Sequence, residues 1–215
     1  MKEIPCPSCG APVPFISAVS VFAVCSYCQS MVVRQDLNLQ LIGEKAFLPE
    51  DMSPLQLGTQ GIYRGTPFTL AGRTIQTWDR GHWTEWFALM SDGRHGWLAE
   101  AQGFFMISFP LELTEGPPHP SDIKPGQVIP LKGEFFHVDD IKTSVCTAVE
   151  GELPFAPPYK EEKLSVDLVG IHGPNRAFAS LEYSDEGVRA YVGEYLDYEH
   201  FKFSYTREFE GWPTR

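Results

Sequence analysis

The chain has 215 residues, 43% hydrophobic and 21% charged, so it has the apolar content for buried cores and lacks the composition of a disordered segment. Its 18 Pro and 19 Gly favour short strands joined by turns over long helices. A formal net charge of -11, with no Lys/Arg cluster, excludes the usual nucleic-acid binder and disfavours anionic membrane surfaces.

The N-terminus carries two Cys-x-x-Cys knuckles, Cys6-Pro-Ser-Cys9 and Cys25-Ser-Tyr-Cys28, separated by fifteen residues. This spacing is that of a four-cysteine metal site: each knuckle turns two thiolates toward one ion, and four thiolates close a tetrahedron with no open position. One structural Zn2+ on Cys6, Cys9, Cys25 and Cys28 is therefore expected, with rubredoxin-like iron as the competitor. Two disulfides would need an oxidising compartment, and a redox pair would need a βαβ unit that the pattern does not contain. The apolar segment from Val13 to Val24 reads as a β-hairpin returning the chain to the metal. It is shorter than the roughly 20 residues of a membrane span. No charged region and cleavage site mark it as a signal peptide, so a cytoplasmic location without membrane insertion is expected.

Residues 1–36 form the expected zinc ribbon, and 37–52 a connector with little regular structure, whose first part has room for an edge strand. Pro49 and Pro54 bracket a turn there. An internal repeat follows. Ser53-Pro-Leu-Gln-Leu-Gly58 matches Ser121-Asp-Ile-Lys-Pro-Gly126, and one constant offset also aligns Gly65 with Gly133, Phe68 with Phe136 and Leu70 with Val138. Each copy predicts a hairpin turning at Arg64-Gly65 or Lys132-Gly133. A second hairpin is predicted over Trp86–Leu98, turning at Asp92-Gly93, with a counterpart over Leu168–Phe178. The fold class expected is mainly β: an N-terminal zinc ribbon followed by two tandem small β-barrel-like (SH3-like) units, 53–116 and 117–215. The second unit carries an acidic, Pro-rich insertion, 150–162, read as a loop. At most one short helix is expected, over 191–201. Cys146, in the apolar run Thr143–Val149, is expected to be a core thiol on a buried strand.

The ribbon, then Leu55-Gln-Leu-Gly-Thr-Gln-Gly-Ile-Tyr63-Arg-Gly65-Thr-Pro-Phe68, Trp83-Thr-Glu-Trp86 and Gly96-Trp-Leu-Ala-Glu-Ala-Gln-Gly103, resembles the bacterial domain-of-unknown-function 4178 family over most of the chain. That family has no assigned activity. The resemblance implies a context beside polyamine-type aminopropyltransferases, small membrane proteins and membrane-associated stress proteins, and hence an accessory role.

The densest polar-aromatic cluster supplies the candidate binding residues Trp83, Glu85, Trp86, Trp97 and Glu100. Strand alternation places Trp83, Glu85 and Phe87 on one face and Thr84 and Trp86 on the other. Aromatics of this kind anchor protein interfaces, so a noncatalytic adaptor with a basic or membrane-associated protein partner is the expected function. The alternative is a binding protein for a small cationic, polyamine-like ligand. Third comes an enzyme using Glu85 and Glu100 as acid and base, which no accompanying nucleophile elbow, phosphate loop or His pair supports. The scattered residues His82, His95, His119, His137, His172 and His200 match no metal-ligand spacing.

Overall fold

The computed structural model describes residues 2–35, 38–43, 52–113, 116–172 and 177–209. Fifteen strands run in chain order: β1 (Lys2–Pro5), β2 (Pro12–Phe15), β3 (Phe22–Val24), β4 (Met31–Gln35), β5 (Asn38–Gly43), β6 (Gln60–Tyr63), β7 (Thr66–Trp78), β8 (Gly81–Met90), β9 (His95–Ala101), β10 (Phe104–Leu111), β11 (Val128–Leu131), β12 (Glu134–Leu153), β13 (Glu162–Gly170), β14 (Ala177–Ser184) and β15 (Gly187–Leu196). The mainly-β expectation is what the structure shows.

The repeat appears as two five-stranded antiparallel meanders, β6 to β10 and β11 to β15. The first hairpin of each turns where the sequence puts it, and both turn residues have positive φ: Arg64 46° and Gly65 83°, Lys132 51° and Gly133 78°. This is the two-residue turn whose twist matches the flanking strands. The second hairpin of the first copy is also present, with Phe87 opposite Trp97. Its counterpart joins β13 to β14 through residues 173–176, which lie outside the described residues.

The two units do not close separately. β7 pairs with β12, and β10 pairs with β15, both antiparallel. The ring β7-β8-β9-β10-β15-β14-β13-β12 thereby returns to β7 and forms one eight-stranded barrel from both copies. The physical reason lies in the edges: each meander leaves a long strand at either side with unpaired backbone groups, and the equivalent strands of the other copy satisfy them. Glycine permits the close approach at both seams. Gly72 faces Gly151 across the first, and a Cβ on Gly193 would overlap the Ile107 carbonyl oxygen across the second.

Alternation gives each meander an outer and an inner face. The outer face of the first buries Leu70, Trp86, Leu98 and Ile107 beneath Leu55 and Phe201. That of the second buries Val138, Val166, Leu168 and Leu181 beneath Ile123 and Ile129. The inner faces meet in the barrel lumen. The helix expected over 191–201 is instead the end of β15 followed by a single 3-10 turn, Tyr198–Phe201, because β15 is held on both sides by β10 and β14.

The ribbon is built from two small sheets. β1 pairs with β2, whereas β3 pairs with β4, so the hairpin expected within 13–24 does not form among the described residues. β3 also pairs with the far end of β12, with Ala23 opposite Glu152 and Phe22 opposite Leu153. The Glu152 carboxylate, 4% exposed, accepts backbone N–H bonds from Ile16 at 3.0 Å and Ser17 at 3.4 Å. Phe22 and Met31 pack with Ala71, Phe87, Trp97 and Leu153. Ribbon and barrel thus share a sheet and a core, although the connector separates them in sequence. That connector is strand β5 over its first part, and residues 44–51 lie outside the described residues.

Candidate functional site

The first candidate is the metal centre. The Sγ atoms of Cys6, Cys9, Cys25 and Cys28 all lie within 4.8 Å of one another. Cys6 and Cys28 are 3.7 Å apart and Cys9 and Cys25 3.8 Å. A tetrahedron of bonds of about 2.3 Å places its corners roughly 3.8 Å apart, whereas a disulfide needs about 2.05 Å. The donor set therefore fits a thiolate-bound metal and not two bridges. The knuckles are alike: Gly10 N–H donates to the Cys6 carbonyl and Gln29 N–H to the Cys25 carbonyl, both at 2.8 Å. Gly10 and Gln29, each following its knuckle's second cysteine, have φ of 77° and 61°. The Ser30 hydroxyl lies 3.2 Å from Cys28 Sγ, and its hydrogen bonding holds that thiol down to about 6.

The second candidate is the lumen. Its open space is about 170 Å³, lined among others by Gln76, Trp83, Glu85, Trp97, Lys163, Ser165, Glu182 and Tyr191. Glu85 is its centre. Its carboxylate accepts from Trp83 Nε1 at 2.8 Å, Thr74 Oγ1 at 3.1 Å and Gln76 Nε2 at 3.2 Å. Lys163 Nζ, on β13, lies 3.4 Å from Glu85 Oε1 and 2.9 Å from Glu182 Oε1 on β14. Burial alone would discharge the Lys163 ammonium, but the flanking Glu182 and Glu85 outweigh it and raise its pKa above the usual lysine value. Burial pushes the Glu182 carboxyl up, against the pull of Lys163 and with help from the Glu85 charge. Asp167 is raised by burial too, partly offset by Lys142 at 2.9 Å. Two buried polar atoms of the lining, Gln76 Oε1 and Ser165 Oγ, have no hydrogen-bond partner among the described residues.

The five binding residues expected from the sequence are split between the two faces. Trp83, Glu85 and Trp97 line the lumen. Trp86 is fully buried in the outer core, its Nε1 donating to Glu100 Oε2 at 3.2 Å, and Ser53 Oγ donates to the same oxygen at 2.6 Å. Glu85 and Glu100 do not converge: Glu85 is opposite Ala99 and Glu100 opposite Thr84, so the two carboxylates point to opposite faces. The acid–base pairing ranked third among the alternatives needs both carboxylates in one cleft, and this register holds them apart. Nor do Trp86, 0% exposed, and Trp97, 7%, form a surface.

Lys163, Ser165, Asp167, Ser180 and Glu182, which complete the lumen, were not singled out from the sequence. Their signal was there as alternation, since Lys163-Leu-Ser-Val-Asp167 and Ser180-Leu-Glu182 place polar residues between apolar ones. That pattern ordinarily means a solvated face, and only closure of the barrel turns it inward. The acidic insertion also acquires a place. Residues 150–153 continue β12, and the loop that follows sets Phe155 against Trp97, with ring centroids 5.7 Å apart, and beneath the Arg189 guanidinium at 4.1 Å. Phe155, Pro157 and Pro158 thereby wall one side of the lumen. Cys146 is a buried core thiol as expected, its pKa pushed up to about 12 by burial and by the Glu85 charge.

Among the described residues no helix is long and apolar enough to cross a membrane. No curated protein and no solved structure matches the chain. The model of the family described as domain of unknown function (DUF4178) matches residues 56–198, which span both meanders and every strand that lines the lumen. The chain belongs to that family, with the four-cysteine ribbon lying ahead of the matched region.

Proposed function

We propose that the protein is a noncatalytic small-molecule-binding module, with zinc as a structural staple in its ribbon and the barrel lumen as its ligand site. The observation that carries this reading is the pair of buried polar atoms, Gln76 Oε1 and Ser165 Oγ, that have no partner among the described residues and belong to the lining of a 170 Å³ cavity. An unsatisfied buried polar atom costs about 1–3 kcal/mol, so its retention points to a partner supplied from outside the fold. Among the described residues the lumen holds no nucleophile hydrogen-bonded to a general base and no carboxylate pair free of a lysine, which favours binding over catalysis. Zinc is favoured over iron as the ion most often held by four thiolates in a ribbon, and a reducing cytoplasm keeps such thiols competent. The net charge of -11 speaks against a nucleic-acid role.

The test is elemental mass spectrometry on untagged protein together with a thermal-shift panel of amines, amino acids, sugars and nucleotides. One zinc per chain and a shift abolished by Ala99→Met, which fills the lumen, are expected. A shift that survives Ala99→Met places the ligand elsewhere and sinks the lumen reading.

A second reading, the protein-interaction adaptor, no longer rests on the tryptophans. What favours it is Tyr27, 84% exposed in the second knuckle, with Ile16 57% exposed on the same ribbon. A basic or membrane-associated partner would recognise that surface. Loss of a co-purifying protein on Tyr27→Ser, with metal content unchanged, is the result this reading requires.

A further inference from the structure

The lumen is unbalanced in charge and in hydrogen bonding, and both imbalances have the same sign. At its centre two carboxylates, Glu85 and Glu182, share one ammonium, that of Lys163. The other lysine and the arginine of the lining have nearer partners, although the Arg189 charge also acts on Glu182 from a distance. Lys142 Nζ lies 3.0 Å from Asp140 and 2.9 Å from Asp167. Arg189, opposite Glu182 in the strand register, turns its guanidinium onto Phe155 and pairs with Glu186 at 2.5 Å. With both carboxyls ionised, one negative charge in excess stands beside Lys163, in surroundings where an uncompensated charge is disfavoured far more than in water.

The hydrogen-bond inventory agrees. Gln76 spends its amide N–H groups on Thr74 and Glu85 and leaves its carbonyl oxygen, an acceptor, without a partner among the described residues. Ser165, directly opposite Glu182 on the neighbouring strand, holds the second unpartnered atom. Gln76 and Ser165 are each 4% exposed, so these atoms are not served by bulk solvent. The indole and phenol rings of Trp83, Trp97 and Tyr191 supply the rest of the wall, and aromatic faces attract cations. A space of 170 Å³ is smaller than the roughly 300 Å³ at which pockets for drug-sized ligands begin, which limits the occupant to a small molecule.

We propose that the lumen binds a small organic monocation, a primary ammonium or an amidinium, whose N–H groups bond Gln76 Oε1 and the Glu182 carboxylate. This rests on the lumen being the ligand site. The positive charge neutralises the carboxylate that Lys163 leaves over, and the N–H groups satisfy the orphaned acceptor. An anion would meet the excess carboxylate, and a neutral alcohol would satisfy the acceptor without relieving the charge.

The experiment titrates the full-length, metal-loaded protein with three compounds of one shape and different charge: benzylammonium, benzyl alcohol and benzoate. Binding is read by calorimetry and by the indole N–H resonance of Trp83, whose proton bonds Glu85 inside the lumen. Benzylammonium is expected to bind and shift that resonance, with benzyl alcohol on the order of tenfold weaker or less and benzoate not binding. Glu182→Gln, which removes the excess charge, and Gln76→Met, which removes the acceptor, are each expected to weaken benzylammonium roughly tenfold or more. Two variants at different positions guard against loss of binding through misfolding of one. Benzyl alcohol or benzoate binding as well as the ammonium, with the Trp83 signal shifted, overturns the monocation and leaves the lumen as a ligand site. Benzylammonium binding that neither variant weakens reveals an adventitious surface site and overturns the proposal. A lumen resonance that no compound moves overturns both the monocation and the lumen reading, leaving Gln76 and Ser165 to be served by water.

Discussion

The ammonium of Lys163, on the second meander, pairs with the carboxylate of Glu85, on the first, at 3.4 Å. The two residues stand 78 positions apart, and only closure of the two copies into one barrel brings them together. This pair, with Glu182 as its third member, is the electrostatic centre of the lumen.

Replacing Lys163 with Met leaves Glu85 and Glu182 buried without the ammonium that pairs them, and a loss of about 3–5 kcal/mol at pH 8 is expected. The sign of the pH dependence follows from Glu182, whose folded carboxyl already lies above its usual value because burial disfavours the charge. The folded state then binds more protons than the unfolded state. Without the pull of Lys163 that carboxyl rises further still, while the unfolded chains titrate alike, so the deficit of Lys163→Met relative to the parent should shrink as pH falls from the variant's folded value to the lower folded value of the parent. Urea denaturation at a series of pH values measures it, and a deficit that grows on acidification would contradict the assignment.

Glu100 has a structural part on the opposite face. Glu100→Gln keeps an acceptor for the Trp86 indole N–H and should lie close to the parent in stability. Glu100→Leu strands that buried donor, and a loss of about 1–3 kcal/mol is expected in denaturant titration. Neither variant should alter ligand affinity in the lumen.

Glu152 ties the ribbon to the barrel through the Ile16 and Ser17 amides. In Glu152→Ala these amides should exchange with deuterium faster by roughly tenfold or more, matching the loss of charge-assisted hydrogen bonds worth about 1.5–3 kcal/mol. Exchange on β14 should be unchanged.

Chelation of the metal, or Cys25→Ser, removes the link among four cysteines, of which Cys6, Cys25 and Cys28 also belong to, or pack on, the ribbon core of Ile4, Val13, Phe15 and Val32. The thermal midpoint is expected to fall by about 2–4 °C per kcal/mol lost for a chain of this length. Exchange protection should disappear from β1 to β4 before the barrel strands. Unchanged protection of the ribbon without metal would refute a structural role.

Gly193→Ala tests the second seam. The added methyl has no free space beside the Ile107 carbonyl oxygen, so β10 and β15 must separate. Overpacking at such a point costs about 1–3 kcal/mol. A fully stable variant would show that the barrel does not close there.

What the sequence determined by itself is what depends on neighbours along the chain. The Cys-x-x-Cys spacing assembles a metal donor set because each knuckle is a local turn. Arg64-Gly65 and Lys132-Gly133 turn because Gly tolerates positive φ, and the alternation around Trp83-Thr-Glu-Trp86 assigns faces because strand side chains alternate. The repeat announced two equivalent β units. Only the tertiary structure decided that the two copies close on each other, since the unpaired edges of β7, β10, β12 and β15 carry no sequence mark naming their partner. That closure decided the rest: it turned Lys163, Ser165 and Glu182 from an outward-reading polar face into the wall of a lumen, and it separated Glu85 from Glu100. It also gave Phe155 a cavity to cover. A backbone hydrogen bond between strands is blind to side-chain identity, so the pairing of distant edges is settled by twist, close approach at glycine and the burial that closure achieves.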